Sequence, residues 1–114
     1  MALETIAELG ARNVQVTMED GCFALIREDR RVRRFRVDVE RLEPISVVGA
    51  GDAFLAQWLA SVLDSGAASV EDSLRLAVAA GAASVLEVGA GRFDPAEARR
   101  LAAGIEVHEL QPVS

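Results

Sequence analysis

A short glycine-containing segment, Gly49-Ala50-Gly51-Asp52, stands directly before an apolar run with helical spacing. The glycines let the backbone bend where other residues resist, and they leave room for a ligand close to the main chain. The first amides of a helix have no intrahelical acceptor and lie at its positive dipole end. The segment therefore predicts a tight turn into a helix whose start faces an anion. The apolar run consists of Phe54, Leu55, Trp58, Leu59 and Val62.

Residues 46–56, Ser-Val-Val-Gly-Ala-Gly-Asp-Ala-Phe-Leu-Ala, follow the pattern of a known kinase signature. They resemble the second signature of the family of sugar kinases that includes ribokinase, adenosine kinase and 1-phosphofructokinase. Gln57 and Val47 depart from the residues usual in that family. Two more stretches agree with it: residues 10–17 are similar to the strand entering the family's nucleotide loop, and residues 76–85, followed by Gly89-Ala90, to the small-residue helix beside the adenine.

The resemblance implies an α/β fold, namely the carboxyl-terminal part of the ribokinase-like three-layer architecture. Residues 1–114 would form one partial domain that binds nucleotide. It implies an ATP-dependent phosphotransferase that moves the γ-phosphate to a hydroxyl of a sugar or sugar phosphate, as 1-phosphofructokinase does. Ribose or another pentose is the alternative acceptor. Because family members are considerably longer, the isolated 114 residues are predicted to lack full activity.

The resemblance also assigns roles to individual residues. Asp52 is the catalytic base that accepts the proton of the attacking hydroxyl; the alternative is an aspartate that only stabilises the start of a helix. Backbone amides of Gly49, Ala50 and Gly51 would stabilise the transferring phosphoryl group, with an ordinary strand-to-helix turn as the alternative. The nucleotide-binding positions are Thr17, Gly21, Gly51, Val78, Ala82 and Val85.

Two groups of these nucleotide-binding positions have structural alternatives. Residues 17–21 lack one glycine of the family's loop, and an Asp-Gly pair between two strand patterns is also typical of a plain hairpin. The small residues of 78–85 could form a slot for a flat adenine ring. Tight helix packing explains the same alanines equally well.

Magnesium is expected from the family, but its Asn-x-x-Glu motif is absent from this sequence, and so is the family's sugar-reading glycine segment. No other cluster of carboxylates, histidines or cysteines has the spacing of a metal site, so no metal-ligating residue is assigned. ATP and a sugar or sugar phosphate are the partners expected of the whole enzyme.

Composition limits the other classes of function. With 114 residues and 51% hydrophobic content, the chain can build one core. A net charge of −6 argues against a nucleic-acid-binding surface. The single cysteine, Cys22, excludes an internal disulfide and is interpreted as a small strand residue. Without an apolar stretch of about 20 residues or a secretion signal, a cytoplasmic protein without membrane contact is expected.

Local patterns predict the order of the elements. A short helix over residues 3–9 would be closed by Gly10. Strands are predicted around residues 14–16, 22–26 and 31–39, with a turn at 19–21. Helices follow over 52–63, from Ser69 to about 85, and from Asp94-Pro95 to Gly104, and a closing strand spans 105–110.

The sequence has one basic cluster, which is interpreted as a solvated strand face because the chain is acidic overall. The cluster comprises Arg27, Arg30, Arg31, Arg33, Arg34 and Arg36.

Two alternatives to the kinase stay open. One is a non-catalytic nucleotide-binding module. The other is an oligomerising piece, including a homodimer, if an apolar face is exposed.

Overall fold

The computed structural model describes Leu3 and residues 8–10, 13–18, 20–28, 31–40, 49–63, 69–86 and 93–111. The predicted order of elements is confirmed within these ranges, and the observed bounds differ from the predicted ones by two residues or fewer. The helix predicted over residues 3–9 lies mostly outside the described residues. In chain order the elements are β1 (Val14–Met18), β2 (Gly21–Glu28), β3 (Arg31–Asp38), α1 (Ala50–Leu63), α2 (Val70–Ser84), α3 (Pro95–Ala103) and β4 (Glu106–Leu110).

The four strands form one antiparallel sheet in the order β1-β2-β3-β4. Met18 pairs with Gly21 and Glu28 with Arg31, so only two residues separate β1 from β2 and β2 from β3 along the chain. β4 follows three helices and returns to pair with β3. The chain is therefore a mixed α/β fold with helices inserted between neighbouring strands of an antiparallel sheet.

One face of the sheet packs against the helices. Cys22 lies opposite Val37, and Ala24 lies opposite Phe35, so these four side chains share a face. All four are fully buried. The same core contains Phe54 and Trp58 of α1, Leu74 and Ala77 of α2, and Leu101 of α3.

This core confirms two predictions about single residues. Trp58 is a core residue, and Cys22 is a buried strand residue. Burial raises the pKa of the Cys22 thiol to about 12. Cys22 therefore stays protonated at neutral pH and does not supply a thiolate nucleophile.

The helices form one layer, with α2 between α1 and α3 and in contact with β3 and β4. The predicted caps are confirmed: Ser69 Oγ accepts a hydrogen bond from the Asp72 amide at 3.2 Å, and Asp94 Oδ1 accepts one from the Ala96 amide at 2.9 Å. In the part of the chain that the structure describes, no helix has both the length and the hydropathy of a membrane crossing.

Arg33 joins three elements through its guanidinium group. Its side chain is only 14% exposed and lies 4.8 Å from the centroid of the Phe35 ring. Its nitrogens donate hydrogen bonds to Glu109 of β4 at 2.7 Å, to Glu71 of α2 at 2.6 Å and to Glu28 of β2 at 3.4 Å. The prediction of a solvated face is therefore wrong for Arg33, because three acids surround it, two of them from distant parts of the sequence.

This contact makes the stability of the fold depend on pH. The hydrogen bond from Arg33 holds the pKa of Glu109 below its ordinary value of 4.5. A carboxyl whose pKa is depressed by folding stabilises the fold above its unfolded pKa, and that contribution is lost as the pH falls through the folded value. We expect the free energy of unfolding, measured in urea between about pH 3 and pH 7, to decrease at the acid end.

Arg33→Met tests the origin of that decrease. It should cost about 1 kcal/mol at neutral pH and flatten the acid part of the profile. Arg99→Met, at an exposed position of α3, is the control and should leave the profile unchanged. The same acid slope in both variants would contradict the assignment to Arg33 and Glu109.

Candidate functional site

The start of α1 combines a bend with unpaired amides. Gly49 has a φ of 89°, a backbone conformation that favours glycine. Its carbonyl accepts the first helical hydrogen bond, from the Ala53 amide at 2.9 Å. The amides of Ala50, Gly51 and Asp52 precede that bond. Among the described residues no side chain caps them, whereas Ser69 and Asp94 cap the two following helices.

The first turn of α1 has a buried side and an open side. Ala53 and Phe54 are buried, while Gly51 and Asp52 are exposed. Within the described ranges, the Asp52 carboxylate makes no hydrogen bond or ion pair. The site thus combines the amides of Ala50, Gly51 and Asp52 with the exposed carboxylate of Asp52, on a turn whose inner side is buried at Ala53 and Phe54. This arrangement can bind an anion and accept a proton.

Gly81 of α2 lies beneath this turn. A Cβ at Gly81 would lie 3.2 Å from the Ala50 carbonyl oxygen and 3.5 Å from Phe54 Cβ. Glycine costs about 1 kcal/mol relative to alanine inside a helix, and this close approach accounts for a glycine among the alanines of α2. Gly81 is not among the site residues predicted from the sequence, although a glycine inside a helical pattern is a signal of such packing.

The adenine-binding positions predicted on α2 differ in exposure. Val78 is 5% exposed and belongs to the main core, which supports the packing alternative for that residue. Ala82 and Val85 are half-buried. Ala82 follows Gly81 directly, so the structure places this end of α2 beside the first turn of α1. Contact of these residues with a base stays a prediction.

Thr17 and Gly21 lie on the sheet, in β1 and β2. Thr17 is exposed. Gly21 has a φ of 142°, and a Cβ there would lie 1.8 Å from the Val37 carbonyl oxygen. The approach of β3 therefore requires glycine at this position. The hairpin alternative accounts for Gly21 without a ligand, and a role in nucleotide binding stays a prediction for both residues.

The described residues contain no group of three or more His, Cys, Asp or Glu side chains that could hold a metal ion. These residues therefore do not fit the magnesium ion that the resemblance implies. A surface cleft lined by Val39, Glu40, Arg100, Leu101 and Gly104 contains none of the predicted site residues.

Comparison with known proteins identifies the family. Residues 1–97 match the family model described as pfkB family carbohydrate kinase. The match spans most of the chain, so the chain belongs to the pfkB family of carbohydrate kinases. No curated protein matches the sequence.

Solved structures of sugar kinases share this fold. Phosphofructokinase-2 from Escherichia coli, solved in complex with potassium, is 26% identical, with a TM-score of 0.73 over 90% of this chain and 32% of that chain. A protein from Staphylococcus aureus that is provisionally assigned as a phosphofructokinase is 19% identical, with a TM-score of 0.79 over 95% of this chain and 33% of that chain.

Fructokinase from Vibrio cholerae, solved with fructose, ADP and calcium, is 23% identical and has a TM-score of 0.68. That match covers 88% of this chain and 33% of the fructokinase. The chain therefore spans about a third of the length of the solved structures that it matches.

Proposed function

We propose that this chain is the nucleotide- and phosphate-binding portion of an ATP-dependent kinase that phosphorylates a hydroxyl of a sugar or sugar phosphate. Membership of the pfkB family supports the reaction class. The observation that carries the proposal is the geometry at the start of α1. There the bend at Gly49 precedes amides that make no helical hydrogen bond, and the carboxylate of Asp52 is exposed.

In this proposal, the residues of the first turn have separate roles. The amides of Ala50 and Gly51 donate hydrogen bonds to phosphoryl oxygens, on which negative charge spreads during transfer. The carboxylate of Asp52 takes the proton of the acceptor hydroxyl. Gly81 is a positioning residue, because its lack of a side chain lets the first turn of α1 lie close to α2.

The acceptor proposed for the whole enzyme is a fructose phosphate, as for 1-phosphofructokinase. The presence of phosphofructokinases among the structural neighbours supports this choice over ribose or another pentose. Because the chain corresponds to a third of those structures, we expect little or no kinase activity from the isolated 114 residues. Robust phosphorylation of any sugar by the purified chain would contradict that expectation.

Gly51→Ala tests the phosphate-binding role directly. A Cβ at Gly51 would meet no atom of the described residues within 4 Å, so the free energy of unfolding should change by less than about 1 kcal/mol. The methyl group would stand in the path of a ligand approaching the amides. We expect apparent ATP affinity to fall about tenfold, the equivalent of one lost hydrogen bond.

The measurement is an NMR titration of the chain with ATP. In the unmodified protein, the amide signals of Ala50, Gly51 and Asp52 should shift on addition of ATP. Gly104→Ala is the control, because a Cβ there makes only an ordinary contact at 3.8 Å with the Leu101 carbonyl oxygen. The proposal is contradicted if the amide signals do not shift on addition of ATP, or if the Gly51→Ala variant binds ATP as tightly as the unmodified protein.

A further inference from the structure

Ser84, the last residue of α2, carries a buried hydroxyl group without a partner. The residue is fully buried. Within the described part of the chain, its Oγ has no hydrogen-bond partner. A serine in a helix commonly bonds the carbonyl four residues earlier or points to water, and Ser84 does neither. Nearly all buried polar groups of native proteins have a partner, so the hydroxyl of Ser84 requires a specific explanation.

The packing of α2 does not explain why position 84 is serine. Residues 77–83 read Ala-Val-Ala-Ala-Gly-Ala-Ala, and several of these alanines are buried in the same helix. Alanine has a higher helix propensity than serine and has no polar atom to remove from water. An alanine at position 84 would therefore suit the helix better, and the hydroxyl indicates a role outside the packing of α2.

Ser84 lies beside the start of α1. Residues 64–69 join α1 to α2, and so short a connection makes the two helices antiparallel neighbours. A Cβ at Gly81 would lie 3.2 Å from the Ala50 carbonyl oxygen. Ser84 is one turn further along α2, about 4.5 Å along the axis and on the same side. In an antiparallel pair this step leads from the first turn of α1 toward the amides that have no helical partner.

We propose that Ser84 is a further phosphate-binding residue of the site at the start of α1, an inference that rests on the function proposed above. When a phosphoryl group occupies the amides of Ala50, Gly51 and Asp52, the Ser84 hydroxyl donates a hydrogen bond to one of its oxygens from the side of α2. Gly51 has no side chain that could fill the space next to these amides. The hydroxyl thereby obtains the partner that it lacks in the free protein.

A neutral donor suits this site better than a cation. Helix α1 contains no Lys or Arg, and α2 has no basic residue in its last turn. A cation close to Asp52 would favour the ionised form of the carboxylate and weaken it as a proton acceptor. A hydroxyl binds phosphoryl oxygens without that effect. The amides and Ser84 together would therefore hold the phosphoryl group and leave Asp52 available as the base.

Ser84→Ala tests the proposal, because it removes one oxygen atom and introduces the residue type present at positions 82 and 83. We expect the Tm of the free chain to rise by about 4 °C, since a buried group without a partner is lost. The affinity for ATP should fall about tenfold, as for the loss of a hydrogen bond to a charged group. A residue that only packs would not raise Tm and weaken ATP binding together.

The experiment has a control variant and a control ligand. Ser73 of α2 is also buried, at 2% exposure, but it lies about 16 Å from Ser84 along the helix axis. Ser73→Ala should therefore leave the affinity for ATP unchanged. Adenosine has no phosphate, so it should bind the unmodified chain and the Ser84→Ala variant equally. NMR titrations that follow the amide signals of the first turn of α1 measure both ligands.

The outcomes separate this inference from the proposed function. If the unmodified chain binds ATP and the Ser84→Ala variant binds it as tightly, the inference is wrong and the proposed function stands. The inference is also wrong if the variant loses affinity for adenosine, because Ser84 would then act on the base. A lower Tm would contradict it as well, since the hydroxyl would have a partner in the free protein. Amide signals that do not respond to ATP in the unmodified chain overturn both proposals.

Discussion

Asp52→Asn is expected to lower the turnover of a kinase that carries this chain by about 10²–10⁴-fold, the usual contribution of a general base. The amide of asparagine cannot accept the proton of the acceptor hydroxyl. Because Asp52 is exposed and has no partner among the described residues, the fold should lose little stability. The effect should therefore fall on turnover and leave the KM for ATP nearly unchanged.

Asp72→Asn provides a matched control for this prediction. Asp52 and Asp72 are both the third residue of their helices, and both are exposed. The two substitutions remove the same charge from the same helix position, so a general effect on a helix start would appear in both. Asp72→Asn also removes an ion pair with Arg75, which should lower stability and leave turnover unchanged. Steady-state kinetics and thermal unfolding of a chimera, in which this chain replaces the matching third of E. coli phosphofructokinase-2, measure the outcome. Equal turnover in the two variants would contradict the role of Asp52 as a base and would indicate that it only stabilises the start of a helix.

Gly21→Ala is expected to cost at least about 3 kcal/mol, which is enough to unfold a marginally stable domain. Its Cβ would lie 1.8 Å from the Val37 carbonyl oxygen, and that oxygen belongs to the backbone of β3. Relief would require β2 and β3 to separate. Those strands carry Phe35 and Cys22 into the main core, so the loss would spread beyond the turn.

Gly10→Ala separates the two causes of that loss. Gly10 also has a positive φ, 114°, but within the described part of the chain a Cβ there would meet no atom within 4 Å. Gly10→Ala should therefore lower the free energy of unfolding only by the cost of the backbone conformation, about 1 kcal/mol. Circular dichroism and urea unfolding of both variants measure the difference. If they lose equal stability, the contact with Val37 does not determine the requirement for glycine at position 21.

Local sequence patterns predicted the elements of this fold because their signals are local. Asp20-Gly21 marks a hairpin, Ser69 and Asp94-Pro95 mark helix starts, and glycine follows α3 at position 104. These signals act within a few residues, and the structure has an element at each of them. The pairing of β4 with β3 carries no such signal, since three helices separate the two strands.

Contacts between distant residues could not be predicted in the same way. Arg33 meets acids at positions 28, 71 and 109, and nothing in the arginine cluster distinguishes it from its neighbours. The close approach of α2 to α1 at Gly81 depends on helix packing. For the candidate site, the motif predicted the turn at Gly49, but the exposure of Asp52 required the three-dimensional structure.

The place of β4 in the sheet has a consequence for synthesis on the ribosome. β3 is synthesised before the three helices, and its partner strand exists only when the chain has been made through Leu110. Until then one edge of β3 has no neighbour, and Arg33 lacks the acid at position 109. A nascent chain stopped before β4 should thus remain sensitive to protease and should become resistant only after the closing strand emerges.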